Sequence, residues 1–174
     1  MTVPEIVDRV VDFHAKHAVI TGGEPMIARG VEELSRRLHE AEMHITIETA
    51  GTVFLPVECD LMSISPKLKN STPEGDWAKQ HDKLRIRIDV IRQLMARCDY
   101  QLKFVVSRPE DIKEIHAIVS RTQAETGKVI LMPEGTDPVR LREKAVWIAE
   151  LCKAEGFRYG PRLHVDIWGD RRGV

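Results

Sequence analysis

His17-Ala18-Val19-Ile20-Thr21-Gly22-Gly23-Glu24-Pro25 is the stretch on which the reading of this chain turns. Its first four residues are a short apolar run of strand type, and a helical pattern follows it. Two glycines at the mouth of a strand remove side chains, so a ligand can approach bare backbone. The carboxylate beside them can accept hydrogen bonds from an ammonium group. Pro25 presets φ for entering a helix. A plain turn that binds nothing explains Gly-Gly alone; Gly-Gly-Glu-Pro at a strand end is a rarer combination.

Outward from this stretch, strand and helix patterns alternate. Upstream, Thr2-Val3-Pro4-Glu5 has the form of a capping box, and Ile6, Val10 and Phe13 give a helical stripe. Downstream, Ile27, Val31, Leu34, Leu38 and Ala41 follow helical spacing. Ile45 to Thr49, Leu61 to Ser65, Gln101 to Val106, Lys128 to Met132 and Arg162 to Trp168 are predicted strands. Leu84, Ile88, Ile91 and Met95 predict a helix after a loop over Asn70 to Trp77. Ser107-Arg108-Pro109-Glu110 reads as a second capping box. Asp137-Pro138 reads as an N-cap for a helix stopped at Gly156. Repeated strand–helix units predict an α/β fold with a mostly parallel sheet. Residues 1–174 read as a single domain.

Composition narrows the function classes. The chain has 174 residues, 43% of them hydrophobic and 30% charged, and a net charge of -1. That balance makes no electrostatic case for nucleic acid or for an acidic membrane surface. No apolar run approaches membrane-spanning length, and the N-terminus lacks a signal-peptide pattern, so a cytoplasmic location is expected. Cys59, Cys98 and Cys152 are far apart and odd in number, which supports neither a disulfide framework nor a close-spaced metal motif. His14 and His17, three apart, could be half a metal site, but no partner is spaced to complete it.

In parallel α/β folds, sites collect at the carboxyl ends of strands. There the sequence places Thr21-Gly22-Gly23-Glu24, Glu48-Thr49-Ala50-Gly51-Thr52, Ser63-Ile64-Ser65-Pro66-Lys67 and Met132-Pro133-Glu134-Gly135. Each alone can be turn chemistry. Polar, small and charged residues at four such ends point to a shared pocket. Lys67 could serve that pocket or act as an ion-pair partner.

These residues resemble the 7-carboxy-7-deazaguanine synthase family of radical S-adenosylmethionine enzymes. Thr21-Gly22-Gly23-Glu24-Pro25 is similar to the motif that holds the methionyl end of the cofactor. Glu48-Thr49-Ala50-Gly51-Thr52, Ser65-Pro66-Lys67 and the tail from Leu163 to Val174, with His164, Trp168-Gly169 and Arg172-Gly173-Val174, are similar to further segments of that family. The resemblance implies cofactor contacts for Gly22, Gly23, Glu24, Glu48, Ser65, Pro66, Lys67, Met132, Pro133, Glu134 and Gly135. It implies substrate contacts for Thr21, His164 and Val174.

The same resemblance implies a reaction. 6-Carboxy-5,6,7,8-tetrahydropterin becomes 7-carboxy-7-deazaguanine with loss of ammonia, in queuosine or deazapurine biosynthesis, in a homodimer, with magnesium assisting. The family's three cluster cysteines ligate a [4Fe–4S] cluster, and S-adenosylmethionine completes its coordination. Those cysteines, the magnesium ligand and the first barrel strand would all precede Met1. The expected fold is therefore an incomplete (β/α) barrel whose strand before Gly22 is an edge, prone to aggregation. No residue of the chain is expected to ligate the cluster, and two explanations stand: a shortened form of a longer enzyme, or a cluster-less binding module.

Overall fold

The computed structural model describes residues 1–76 and 78–171. Among the described residues there are six strands and seven α-helices, and the strands pair in parallel. The chain divides into two compact units. The first comprises Met1–Ser65 and Ile86–Gln101; the second comprises Pro66–Arg85 and the described residues from Leu102 onward.

In the first unit, helix α1 (Val3–Asp12) leads to β1 (His17–Ile20). The Thr2 amide donates to the Glu5 carboxylate at 2.7 Å, the backbone half of the expected capping box. Strand β2 (His44–Thr49) pairs with β1 from His17↔His44 to Ile20↔Ile47, and with β3 (Leu61–Ile64) from Thr46↔Leu61 to Thr49↔Ile64. Its residues alternate, so Ile45, Ile47 and Thr49 are buried. Helices α2 (Val31–Glu40) and α4 (Ile88–Met95) complete the unit, with Val31, Leu38, Ile91 and Leu94 in its core. Among the described residues β1 is an edge strand. No residue of α1 is buried, Val19 of β1 is 59% exposed, and a groove of about 440 Å³ runs past Ile6, Val10, Phe13 and Val19. The unpaired edge expected from the sequence is present, flanked by apolar surface.

The second unit holds α3 (Ala78–Leu84), most of β4 (Asp99–Val106), α5 (Ile112–Thr122), β5 (Val129–Pro133), α6 (Pro138–Glu155), β6 (Arg158–Tyr159) and α7 (Leu163–Trp168). Strands β4 and β5 pair from Leu102↔Val129 to Val106↔Pro133, and β5 pairs with β6 through Ile130↔Arg158 and Leu131↔Tyr159. Leu102, Phe104, Val106, Leu131, Ile115, Ile118 and Ile148 form its core. Asp137 caps α6 as expected, accepting from the amides of Val139 and Arg140 at 2.9 Å each.

Four local expectations need correction. The segment Arg162 to Trp168 is not a strand. It forms α7, of which only Val165 is buried, and the last strand is Arg158–Tyr159. Leu163 and Ile167 are 60% and 55% exposed, so alternating hydrophobicity was no sign of a half-buried strand. The helix expected from Ile27 begins at Val31, because Pro25–Ile27 is a 3₁₀ turn whose Met26 amide is held by Glu24. The stripe from Leu84 to Met95 is split into α3 and α4. Finally, the carboxylate that caps the turn after β4 belongs to Asp111, not Glu110. Asp111 Oδ2 accepts from Ser107 N at 2.9 Å, Arg108 N at 3.3 Å, Ser107 Oγ at 3.2 Å and Asn70 Nδ2 at 2.8 Å.

Burial pushes the Asp111 carboxyl pKa up, but the hydrogen bonds from Ser107, Asn70 and Arg108 outweigh it and hold the pKa below the ordinary value. A depressed folded-state pKa gives stability that is complete above the unfolded value. That stability is lost as pH falls through the folded value. Asp111→Asn is therefore expected to lower Tm at neutral pH and to flatten the fall in Tm between about pH 5 and about pH 2. Thermal melts of both proteins across that range check this; parallel curves would show that Asp111 contributes nothing to acid sensitivity.

Candidate functional site

The loop after β1 is built around one carboxylate. Glu24 Oε1 accepts from Thr49 Oγ1 at 2.7 Å and from Met26 N at 3.2 Å, and Oε2 accepts from Ala50 N at 2.9 Å. Thr49 Oγ1 in turn accepts from Gly51 N at 3.0 Å. A directed chain therefore runs from the Gly51 amide through the Thr49 hydroxyl to Glu24. It fastens the carboxyl end of β2 to the turn that follows β1. Thr21 Oγ1 adds a second link, donating to Glu48 Oε2 at 3.2 Å.

This anchoring leaves the glycines bare. Gly22 has φ +148°, a conformation that side chains rarely adopt, and both Gly22 and Gly23 are exposed. A Cβ built on either meets no atom within 4 Å. The two glycines are thus not required by packing against this unit. The open space they leave, beside the polar groups of Thr21 and Glu48, is what an approaching polar ligand needs. Glu24 serves protein groups with both oxygens, so its contribution is to hold this shape.

Ser65 is half-buried, and its amide donates to Thr49 O at 2.7 Å, which ties the end of β3 to the end of β2. Of the expected residues, the first unit thus brings together Thr21, Gly22, Gly23, Glu24, Glu48 and Ser65.

In the second unit Pro66 is buried and Lys67 is exposed. Its carbonyl accepts from Arg85 Nη1 at 3.0 Å. Arg85 also donates to Asp82 Oδ1 at 2.7 Å and to Glu114 Oε1, while Glu114 Oε2 accepts from Lys69 N at 2.9 Å. The Arg85 guanidinium thus fixes the backbone on which Lys67 is presented. Spacing gave no sign of this, because Glu114 lies on a separate helix. On β5, Met132 is half-buried and Pro133 buried. Glu134 N donates to Val106 O at 2.9 Å, and Lys144 Nζ donates to both Glu134 O and Glu134 Oε2 at 2.7 Å. Gly135 is half-buried. His164 is exposed on α7, and Val174 lies outside the described residues.

His17 meets the His44 ring at 4.9 Å between centroids. Among the described residues no group of three or more His, Cys, Asp or Glu could hold a metal ion. No described helix is long and apolar enough to cross a membrane.

No family model matches the chain. Individual proteins do. A 7-carboxy-7-deazaguanine synthase of Halobacterium salinarum is 39% identical over 185 residues, covering 98% of this chain and 72% of that protein. One from Rhodopirellula baltica is 37% identical, covering 99% of this chain and 69% of that protein. Among solved structures, QueE from Escherichia coli superposes with a TM-score of 0.63 at 23% identity, covering 93% of this chain and 64% of that one. Archaeal TYW1 superposes at 0.58 with 15% identity. The structural likenesses show the α/β fold over part of the length of those proteins. The sequence likenesses, above 30% identity along nearly the whole chain, show more: the chain belongs to the 7-carboxy-7-deazaguanine synthase family of radical S-adenosylmethionine proteins.

Proposed function

We propose that the loop after β1 is an S-adenosylmethionine cradle, and that the full-length protein converts 6-carboxy-5,6,7,8-tetrahydropterin to 7-carboxy-7-deazaguanine with loss of ammonia. The observation that supports this best is the bare backbone of Gly22 and Gly23, held open by Glu24 through Thr49 and Ala50. An amino-acid end group needs acceptors for its ammonium and donors for its carboxylate, and a ribose needs both. Backbone amides and carbonyls at Gly22 and Gly23, with Glu48 nearby, supply that mixture. Contacts of Ser65, Pro66, Lys67, Met132, Pro133, Glu134 and Gly135 with the cofactor belong to the same proposal. So do substrate contacts of Thr21, His164 and Val174, magnesium, a homodimer and a cytoplasmic location.

The family's [4Fe–4S] cluster does not fit the thiols of this chain. Cys59 and Cys98 lie side by side, and among the described residues no group of three or more His, Cys, Asp or Glu could hold a metal. A cluster needs three thiolates converging on it. The 174-residue chain is expected to show no turnover. That same misfit favours a second reading, a non-catalytic binder of S-adenosylmethionine or a pterin.

Calorimetric titration with S-adenosylmethionine tests the cradle. The chain is expected to bind, and Gly23→Val is expected to bind at least about tenfold more weakly while keeping its Tm, because its Cβ meets nothing within 4 Å. No binding by the unsubstituted chain would overturn the cradle. Anaerobic reconstitution with iron and sulfide then separates the readings. A stoichiometric cluster with cofactor cleavage would show that this chain is itself a catalyst, whereas binding without a cluster is the result expected. The codons upstream of Met1 bear on the full-length enzyme. In-frame codons for a strand and a cysteine-bearing loop are expected; their absence would leave the binding module.

A further inference from the structure

Two of the three thiols are placed for chemistry that no cofactor site uses. Cys59 stands two residues before β3, and Cys98 immediately before β4, so both lie at the amino ends of strands. That is the end opposite the Gly22–Gly23 loop, which follows the carboxyl end of β1. Both side chains are half-buried and reachable from solvent, unlike that of Cys152. Their sulfurs are 2.8 Å apart. This is closer than two unbonded sulfurs ordinarily sit, and the covalent S–S length is about 2.05 Å. Thirty-nine residues of sequence separate them, so nothing local forces the encounter; the fold does.

We propose that Cys59 and Cys98 form a redox-active dithiol that closes to a disulfide with a low-molecular-weight disulfide as oxidant. The Cys98 thiolate attacks one sulfur of the oxidant, whose S–S bond breaks and releases one thiolate. Cys59 then gives up its proton to water and attacks the Cys98 sulfur of the mixed disulfide, which releases the second thiolate. In total the two protein sulfurs are oxidised, the two reagent sulfurs are reduced, and two thiols leave.

The surroundings assign the roles. The Cys98 pKa is pulled down, first by the hydrogen bond with the Cys59 sulfur, against burial, and further by the Met62 amide and the Arg97 charge. The Cys59 pKa is pushed up by that same contact and by burial. Of these contacts only the Met62 amide serves Cys98 and not Cys59, and on that geometry the proposal takes Cys98 as the attacking thiolate and Cys59 as the resolving thiol. No third His, Cys, Asp or Glu completes a metal site around them among the described residues. A dithiol, rather than a metal centre, is what the pair can be.

The test uses the 174-residue chain, equilibrated with oxidised glutathione, acid-quenched, alkylated and mapped by mass spectrometry. A Cys59–Cys98 linked peptide is expected, with Cys152 the one remaining free thiol after unfolding. Cys59→Ser is expected to accumulate a glutathione adduct on Cys98, and Cys98→Ser to react much more slowly. Oxidation is expected to raise Tm by on the order of 5–10 °C in the unsubstituted chain and not in Cys59→Ser. Three free thiols after oxidation, or a persistent adduct on Cys98 with Cys59 present, would overturn the proposal. So would a disulfide that includes Cys152.

Discussion

Gly51→Ala is expected to destabilise the chain by about 3 kcal/mol and to lower Tm by on the order of 10 °C. Two separate costs add. Gly51 has φ +73°, which an alanine adopts only with strain. A Cβ there would also stand 2.7 Å from Ile64 Cγ2 and 3.0 Å from Ile91 Cγ1. Neither isoleucine can withdraw, since each is fully buried in the first unit's core. Gly23→Ala is the control, because its Cβ meets nothing, and its effect should stay within about 0.5 kcal/mol. Chemical denaturation of the two variants makes the comparison. Equal losses would mean that the packing around Gly51 is looser than its contacts indicate.

Glu24→Ala has the second large effect, and it acts on both stability and binding. The substitution removes the acceptor of three donors at once, from Thr49, Met26 and Ala50. Thr49 is only 4% exposed, so its hydroxyl cannot turn to water without cost. A loss of about 2–4 kcal/mol is expected. Glu24→Gln keeps one acceptor oxygen but sets an NH₂ group against either the Thr49 hydroxyl or the Ala50 amide. It should lose about half as much. Binding of S-adenosylmethionine should weaken in both, in the same order. Because the Gly51 amide feeds the same chain, Glu24→Ala and Gly51→Ala together should cost less than their sum. Additive losses in a double-mutant cycle would disconnect the two sites.

The sequence made the repeated strand–helix order legible because buried parallel strands and amphipathic helices write different periods. It also made the glycine loop legible, since few local structures need Gly-Gly beside Glu-Pro. The partners of Glu24 were not legible. Thr49 is 25 residues away, and a hydrogen bond across strand ends leaves no periodic trace. For the same reason nothing in the sequence marks Arg85, which holds the carbonyl of Lys67. The misread tail has a different cause. Leu163, Val165 and Ile167 alternate as a strand would, but only Val165 finds a core, and a single anchor suffices for a six-residue helix.

The way the first unit is assembled from two separated stretches has a consequence for synthesis. When Ser65 leaves the ribosome, β1, β2 and β3 are all present, but Val90, Ile91 and Leu94 are not. At about 5–20 residues per second, the stretch up to Gln101 arrives some seconds later. During that interval the apolar faces awaiting α4 stay wet, and the thirty-nine-residue span from Cys59 to Cys98 is incomplete. The nascent chain therefore passes through a dwell in which the first stretch of that unit is fully translated yet cannot close, and translation speed over residues 66–101 sets how long that dwell lasts.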